Sequence, residues 1–244
     1  MYRFLISRRW LAALLVVIVF SGTCVELGLW QLRRLDERKK LNAAVSTNMR
    51  LPVVPLADAL ATGRPLYRRV TVSGHYDVSQ ELLLTGRSFN DRPGSDVLTP
   101  LKLSDGRALI VNRGFVPLSV SAPATPATVP PGGAVSITGV LLPTEHRGFL
   151  GQREPVTGRL TTIVRIDVPR IRQQLPYDVV PQYLLLSSQT PPQPNGTLQY
   201  ESFIPDLSNG PHLSYAIQWF FFASFAVLAY VVVAFRNARK VRVG

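Results

Sequence analysis

Two long apolar runs lie near the two ends of the chain. Trp10–Leu32 carries a single charged residue, Glu26, and Leu213–Phe235 carries none. A helix of roughly 20 residues spans the hydrocarbon core of a bilayer. The pattern therefore predicts transmembrane helices at 10–32 and 211–235, with an N-terminus at 1–9, a central domain at 33–210 and a basic tail at 236–244.

The first apolar run could instead be a cleaved signal peptide, because the preceding segment is basic. Its length argues against cleavage, and no small-residue cleavage site follows it. The residues ending at Cys24 resemble a lipoprotein cleavage box only loosely, since leucine is missing three positions before the cysteine. We therefore predict an uncleaved membrane anchor.

The central domain alternates between strand-like apolar runs and turns rich in proline and glycine. In Tyr67–Asp77, Val70 and Val72 alternate with polar residues, as is typical of a half-buried strand. The turn Ser-Asp-Gly between Leu98–Leu103 and Ala108–Val111 predicts a hairpin. Further strands are predicted at 80–89, 134–142, 159–168 and 178–188, a helix at 169–175, and an exposed proline-rich loop at 119–133.

The predicted fold class is a membrane protein in which two transmembrane α-helices flank a β-rich domain, α+β and mostly antiparallel. The net charge of +12 lies mainly beside the two spans: residues 1–40 contribute +5 and residues 236–244 contribute +4, which leaves +3 for the rest. Lysine and arginine beside spans set orientation, and here they narrowly favour both termini in the cytoplasm. The distribution excludes nucleic acid as a partner and predicts an extracytoplasmic central domain.

The chain has one cysteine and only three histidines, His75, His146 and His212. An intramolecular disulfide, a Cys-x-x-Cys redox pair and a covalent haem-attachment motif are therefore excluded, and a multi-histidine metal site is not expected. Gly-x-Ser-x-Gly, His-Glu-x-x-His and phosphate-loop motifs are missing from the sequence as well. These observations predict a protein that is not an enzyme.

His212 opens the second apolar run. Spacings of three, four and seven place His212, Tyr215, Ala216 and Trp219 on one face of a helix. A neutral imidazole there could ligate haem iron, with Tyr215 and Trp219 beside the porphyrin edge. The alternative is an aromatic belt, because such residues are enriched at the membrane interface whatever their function. Spacing alone leaves both interpretations open.

Two other polar features are candidates for function. Glu26 lies inside a span, where an acid is costly and often functional, although it could instead reach the headgroups or pair with the second span. In the central domain, Asn112-Arg113-Gly114 ends a strand. Arg113 could bind an anion or fix a turn, and we expect the structural role.

Five short segments occur in the order found in the surfeit locus protein 1 family. They are LGLWQLRR at 27–34, YRRVTVSGHYD at 67–77, VNRGFVP at 111–117, GVLLPTE at 139–145 and HLSYAIQW at 212–219. The chain therefore resembles, over about residues 10 to 235, a family of membrane factors for the assembly of cytochrome c oxidase.

The resemblance implies a bacterial assembly factor that binds haem a and assists its insertion or stabilisation in the catalytic subunit. His212 matches the proposed haem ligand of bacterial members, and position 38 is arginine where the family commonly has lysine, which changes the geometry of any contact there. The implied contacts of haem a are His212, Tyr215, Trp219 and Trp30, with Gln31, Arg34, Asn112, Arg113 and Gly114 as further motif residues.

The resemblance also implies partners and a location. The partners are the catalytic subunit of the oxidase, haem A synthase and the lipid bilayer, and the location is the bacterial plasma membrane. Two functions compete with a haem-binding assembly factor: a haem-free scaffold for nascent oxidase subunits, and a membrane-anchored sensor or enzyme. The missing catalytic motifs count against the last of these.

Overall fold

The computed structural model describes residues 6–148, 151, 154–155, 158–194, 198 and 205–243. The chain divides into two compact units, one formed by residues 1–44 with 206–244 and the other by Val45–Pro205. The helices are α1 (Arg8–Arg50), α2 (Leu56–Ala61), α3 (Val168–Arg172) and α4 (His212–Val243). The strands are β1 (Val54–Pro55), β2 (Arg69–Tyr76), β3 (Leu82–Phe89), β4 (Arg92–Lys102), β5 (Ala108–Pro117), β6 (Val135–Pro143), β7 (Thr162–Ile163) and β8 (Val179–Thr190).

The first unit is a pair of long helices, as the two apolar runs predict. Both α1 and α4 are long and apolar enough to cross a membrane. However, α1 has 43 residues and continues well past Leu32, where the predicted span ends. At about 1.5 Å per residue it is roughly twice as long as a bilayer core requires. Its second half carries many charged residues, and Leu35 is buried there.

The two helices pack along a seam with small residues at its centre. Cys24 of α1 and Ala216 and Ala223 of α4 are buried. A Cβ atom added at Gly28 would lie 2.7 Å from the ring of Phe220, so glycine permits this close approach. Between residues 10 and 42 of α1, buried and half-buried positions recur every three or four residues, as in left-handed helix pairs; they are 10, 14, 17, 21, 24, 28, 31, 35, 38 and 42, with the half-buried Leu27 as the one position outside this spacing.

The second unit is built on one mixed sheet of eight strands in the order β1-β2-β6-β8-β5-β4-β3-β7. The pairs β2–β6, β6–β8, β4–β5 and β3–β4 are antiparallel, whereas β1–β2, β5–β8 and β3–β7 are parallel. An additional antiparallel pairing joins β2 to β4 and closes five strands into a ring. The predicted fold class is confirmed, and so is the hairpin, in which Lys102 pairs with Ala108.

Both faces of the sheet are buried, which explains the continuous apolar runs in the sequence. In β5, Leu109 and Val111 belong to one hydrophobic cluster, whereas Ile110 belongs to the other. In β8, Leu184 and Leu185 divide in the same way. Successive residues of a strand point to opposite faces, so each apolar run supplies two cores.

The predicted strand at 159–168 is wrong for most of its length. Only β7 pairs with a neighbour, over two positions of β3. Beyond it, Glu145 N donates to Ile166 O (2.9 Å), and Ile166 N donates to Glu145 Oε2 (3.0 Å). Because these bonds satisfy the backbone of Ile166, this stretch needs no partner strand. The predicted helix at 169–175 is confirmed as α3, whose N-terminus is capped by the side chain of Asp167.

Asp77 follows β2 and accepts three side-chain hydrogen bonds. Lys102 Nζ lies 2.8 Å from Oδ2, Tyr177 donates its hydroxyl to Oδ2 (2.9 Å), and Ser79 donates to Oδ1 (2.6 Å). Burial raises the pKa of Asp77, but the hydrogen bonds together outweigh it and hold the pKa below its ordinary value of 3.8. The carboxylate thereby ties the end of β2 to β4 and to the segment before β8.

Candidate functional site

A hydrogen bond joins the two long helices at the start of α4. His212 Nδ1 lies 2.8 Å from Gln31 Oε1, and both side chains are half-buried. An amide oxygen only accepts hydrogen bonds, so in a neutral imidazole this contact assigns the proton to Nδ1 and leaves the lone pair on Nε2. Among the residues that the structure describes, none makes a hydrogen bond to Nε2. His212 is therefore oriented through one nitrogen and available through the other.

The segment that leads into α4 is fixed against α1. Asn42 Nδ2 donates to Leu207 O (2.7 Å) and to Ser208 O (3.2 Å), and Arg38 Nε donates to Ser208 O (3.4 Å). The chain then turns at Gly210, whose φ of +65° favours glycine. These contacts set where α4 begins and hence where His212 meets Gln31. Arg38, at the position where the resemblance leads us to expect lysine, thus binds this backbone, and its Nη2 also lies 3.4 Å from Asp206 Oδ2.

The aromatic residues predicted beside His212 do not form one cluster with it. Trp219 is half-buried and packs edge-on against Phe222, with ring centroids 6.0 Å apart. Tyr215 is 47% exposed and Trp30 is 44% exposed. Arg34 lies over the Trp30 ring, 5.7 Å from its centroid. The structure thus brings His212 and Gln31 together and leaves Tyr215 and Trp30 on outward-facing surfaces.

Glu26 lies on the outer surface of α1. One of its carboxylate oxygens is 3.9 Å from Arg33 Nη2, and both side chains are more than half exposed. An exposed pair of this kind contributes about 0–1 kcal/mol. The side chain faces away from α4, so Glu26 does not share the position of His212.

Arg113 is fully buried inside the sheet domain. Its Nη1 donates to Glu81 Oε2 (3.1 Å), Thr99 Oγ1 (3.2 Å) and Thr128 O (2.7 Å), while Nη2 donates to Gln193 Oε1 (2.5 Å). Its guanidinium also lies 4.9 Å from the centroid of the Tyr76 ring. These contacts make Arg113 a structural residue at the junction of several segments.

The same network corrects part of the prediction of an exposed loop at 119–133: most of its residues are exposed or half-buried, but Thr128, Pro130 and Pro131 are buried. Thr128 is fully buried because its carbonyl accepts from Arg113, and Ala124 N donates to the buried carboxylate of Glu81 (2.7 Å). Proline removes backbone donors, and the buried ion pair of Arg113 and Glu81 binds one donor and one carbonyl of this loop, Ala124 N and Thr128 O. Glu81 is a residue that sequence reasoning missed, since a lone glutamate before a strand carries no signal of its partner.

Asn112 and Gly114 hold the bend beside Arg113. Asn112 Nδ2 donates to the buried Asp96 Oδ2 (2.9 Å), and Gly114 N donates to Asn112 Oδ1 (3.0 Å). Burial raises the pKa of Asp96 above its ordinary value, opposed by the Asn112 hydrogen bond and by the charge of Arg87. The Asn112-Arg113-Gly114 motif thus holds strands together, and its contacts are with residues of its own domain.

Together, these features define a protein with two long apolar helices, a β-sheet domain and one oriented histidine at the end of the helix pair. Comparison with known proteins assigns the chain to a family: the profile of the SURF1 family matches residues 18–224. The chain belongs to the SURF1 family, whose members are associated with cytochrome c oxidase assembly and are not known enzymes.

Relatives of this chain occur in bacteria and in vertebrates. An uncharacterized SURF1-like protein of Mycobacterium tuberculosis is 29% identical over 232 residues, which cover 93% of this chain and 82% of that protein. A SURF1-like protein of Rickettsia felis is 25% identical over 221 residues, covering 89% and 95% respectively. Surfeit locus protein 1 of Mus musculus is 32% identical over 156 residues, covering 57% of this chain and 51% of the mouse protein.

Proposed function

We propose that this protein is an assembly factor for cytochrome c oxidase that holds haem a through His212. The observation that carries the proposal is the 2.8 Å hydrogen bond between His212 Nδ1 and Gln31 Oε1. A hydrogen-bond acceptor on the other ring nitrogen fixes the tautomer and ring orientation of a histidine ligand. Gln31 would therefore be the positioning residue and Nε2 of His212 the ligating atom.

The residues around His212 fit a lipophilic macrocycle with a single protein ligand. Tyr215, three residues after His212 and so on the same side of α4, is 47% exposed and offers apolar surface there. Haem a would be held there by one protein ligand, His212, and a single ligand suits release of the group to another protein. Gln31 and the contacts that fix α4 would keep the imidazole oriented before and after transfer.

The proposed setting is the plasma membrane of a bacterium, with both termini in the cytoplasm and the sheet domain outside. Two long apolar helices support membrane insertion, and the flanking arginines and lysines support the orientation. The proposed partners are the catalytic subunit of the oxidase, as the acceptor of haem a, and haem A synthase, as its source.

A haem-free scaffold is the competing function, and one observation favours it: the His212–Gln31 bond also joins α1 to α4 and could serve packing alone. Purification of the full-length protein from cells that make haem a separates the two functions. We expect haem a in the wild-type protein and in Ser214→Ala, an exposed neighbour on the same turn, and a loss of most haem in His212→Ala. Equal haem in all three proteins would exclude His212 as the ligand. Normal oxidase assembly with haem-free protein would establish the scaffold.

A further inference from the structure

An apolar groove lies between α1 and α4 at the end of the helix pair opposite to His212. Its volume is about 470 Å³, within the range of about 300–1,000 Å³ typical of small-molecule sites. Small side chains, Ala13, Ala226 and Ala229, form much of its lining, and Trp10 and Tyr230 border it. Tyr230 donates its hydroxyl to Trp10 O (3.4 Å), and the two rings meet edge to face at 5.8 Å.

Positive charge surrounds the mouth of this groove. Arg9 is an exposed residue that contributes directly to the lining. Arg8 precedes it, and Arg236 and Arg239 follow the groove on α4, all three exposed. Neither 6–19 nor 226–239, the stretches that contain the groove, includes an aspartate or glutamate. The arginines here therefore have no acidic partner on their own stretches of helix, so the mouth favours an anion.

We propose that this groove binds one anionic phospholipid, with an acyl chain between α1 and α4 and the phosphate group at Arg9. The aromatic pair Trp10 and Tyr230 marks the depth of the membrane interface, because such residues concentrate at headgroup level. Basic pockets between transmembrane helices are known to select anionic headgroups. A helix from another protein would also fit the apolar lining, but it would make no use of the positive mouth.

The test uses the purified full-length protein, stripped of lipid in detergent and examined by native mass spectrometry. Dioleoylphosphatidylglycerol and dioleoylphosphatidylcholine serve as probes, because they share acyl chains and differ in net charge. We expect one phosphatidylglycerol to be retained at least fivefold more strongly than phosphatidylcholine, the factor equivalent to about 1 kcal/mol for one arginine at an anionic surface.

Two pairs of variants separate the contribution of the headgroup to lipid binding from the contribution of the acyl chain in the groove. Arg9→Gln should lower phosphatidylglycerol retention to the level of phosphatidylcholine, whereas Arg33→Gln, on the same helix but far from the groove, should leave it unchanged. Ala13→Leu should fill the groove and lower retention of both lipids, whereas Ala12→Leu, an exposed neighbour, should not.

Three results would overturn the proposal. Equal retention of the two lipids by the wild-type protein would show that the mouth selects no headgroup. Full retention of lipid by Ala13→Leu would place the lipid elsewhere. Because Arg9→Gln alters only an exposed side chain, a folding defect cannot explain a loss of phosphatidylglycerol retention in both variants. A dimer or a bound protein lost in Ala13→Leu but kept in Arg9→Gln would identify the groove as a helix-docking surface. None of these outcomes depends on haem binding.

Discussion

Replacing Arg113 with methionine should destabilise the sheet domain strongly. Arg113 and Glu81 are both fully buried, and their ion pair at 3.1 Å joins Thr99 of β4 and the carbonyl of Thr128. Methionine has a similar length but donates no hydrogen bond, so Arg113→Met leaves the Glu81 carboxylate buried without its cation. Removing one partner of a buried pair costs about 3–5 kcal/mol.

For a domain of this size, 1 kcal/mol corresponds to a shift in Tm of about 2–4 °C, so we expect Tm to fall by at least about 6 °C. The control is Arg107→Met in the same hairpin. Arg107 pairs with Asp105 at the surface, where both side chains are more than 40% exposed, and such pairs contribute about 0–1 kcal/mol. The assay is near-UV circular dichroism of the full-length protein in detergent during heating and during a urea titration.

The double variant Arg113→Met/Glu81→Leu tests the cause of the destabilisation. Because it removes the stranded charge, it should be less destabilised than the sum of the two single variants, by an interaction energy of about 0.5–3 kcal/mol. If Arg113→Met behaves like Arg107→Met, or if the two single effects simply add, the buried ion pair does not hold this domain together.

Three further predictions concern the helix pair, pH and orientation. Gly28→Leu should separate the two helices near Gln31 and lower the haem content, because even a Cβ atom at Gly28 would meet the Phe220 ring. The control is Gly22→Leu, since nothing lies within 4 Å of a Cβ atom there. Equal haem content in the two variants would show that close packing at Gly28 does not matter for haem binding. The pKa of Asp77 is lowered in the folded state, so the contribution of its carboxylate to stability is complete above the ordinary value of 3.8 and is lost as the pH falls through the folded-state pKa. Asp77→Asn should therefore flatten the acid limb of a curve of stability against pH. An unchanged acid limb would show that Asp77 does not contribute to this pH dependence. A C-terminal alkaline phosphatase fusion should be inactive and a green fluorescent protein fusion bright, whereas the reverse result would place the C-terminus outside the cytoplasm.

The two long helices and most strands could be predicted because their signals are local. The apolar runs identify α1 and α4 by length alone. The turn between Lys102 and Ala108 specifies the β4–β5 hairpin, since a Ser-Asp-Gly turn separates two apolar runs. Alternation in β2 correctly places Val70 and Val72 on the same buried face.

What the sequence could not predict depends on contacts between distant residues. The extension of α1 past Leu32 is stabilised by Arg38 and Asn42, which bind backbone carbonyls about 165 to 170 residues away. The anchoring of the proline-rich loop depends on Glu81, whose partner Arg113 lies 32 residues away. Charged and amide side chains pair in many ways, and one sequence does not show which pairing the fold selects.

In the candidate site, too, local features could be predicted from the sequence and contacts between distant residues could not. His212 stood out because it opens an apolar span. Its contact with Gln31 depends on the register between two helices. Because the two residues are 181 positions apart in the sequence, no local pattern predicts that register. Tyr215 shares a helical face with His212 by spacing, yet it is exposed, because the seam with α1 passes through Ala216 instead.

Titration of haem a into the haem-free full-length protein tests whether Gln31 orients His212 as the ligand of the haem iron. The dissociation constant, followed by absorbance in detergent, should be raised about 10- to 100-fold in Gln31→Leu, as expected for loss of the group that orients a histidine ligand. It should stay near the wild-type value in Gln31→Glu, which keeps an acceptor for Nδ1. His212→Ala should show no saturable binding. Saturable binding of haem a by His212→Ala with the wild-type dissociation constant and spectrum would contradict the account.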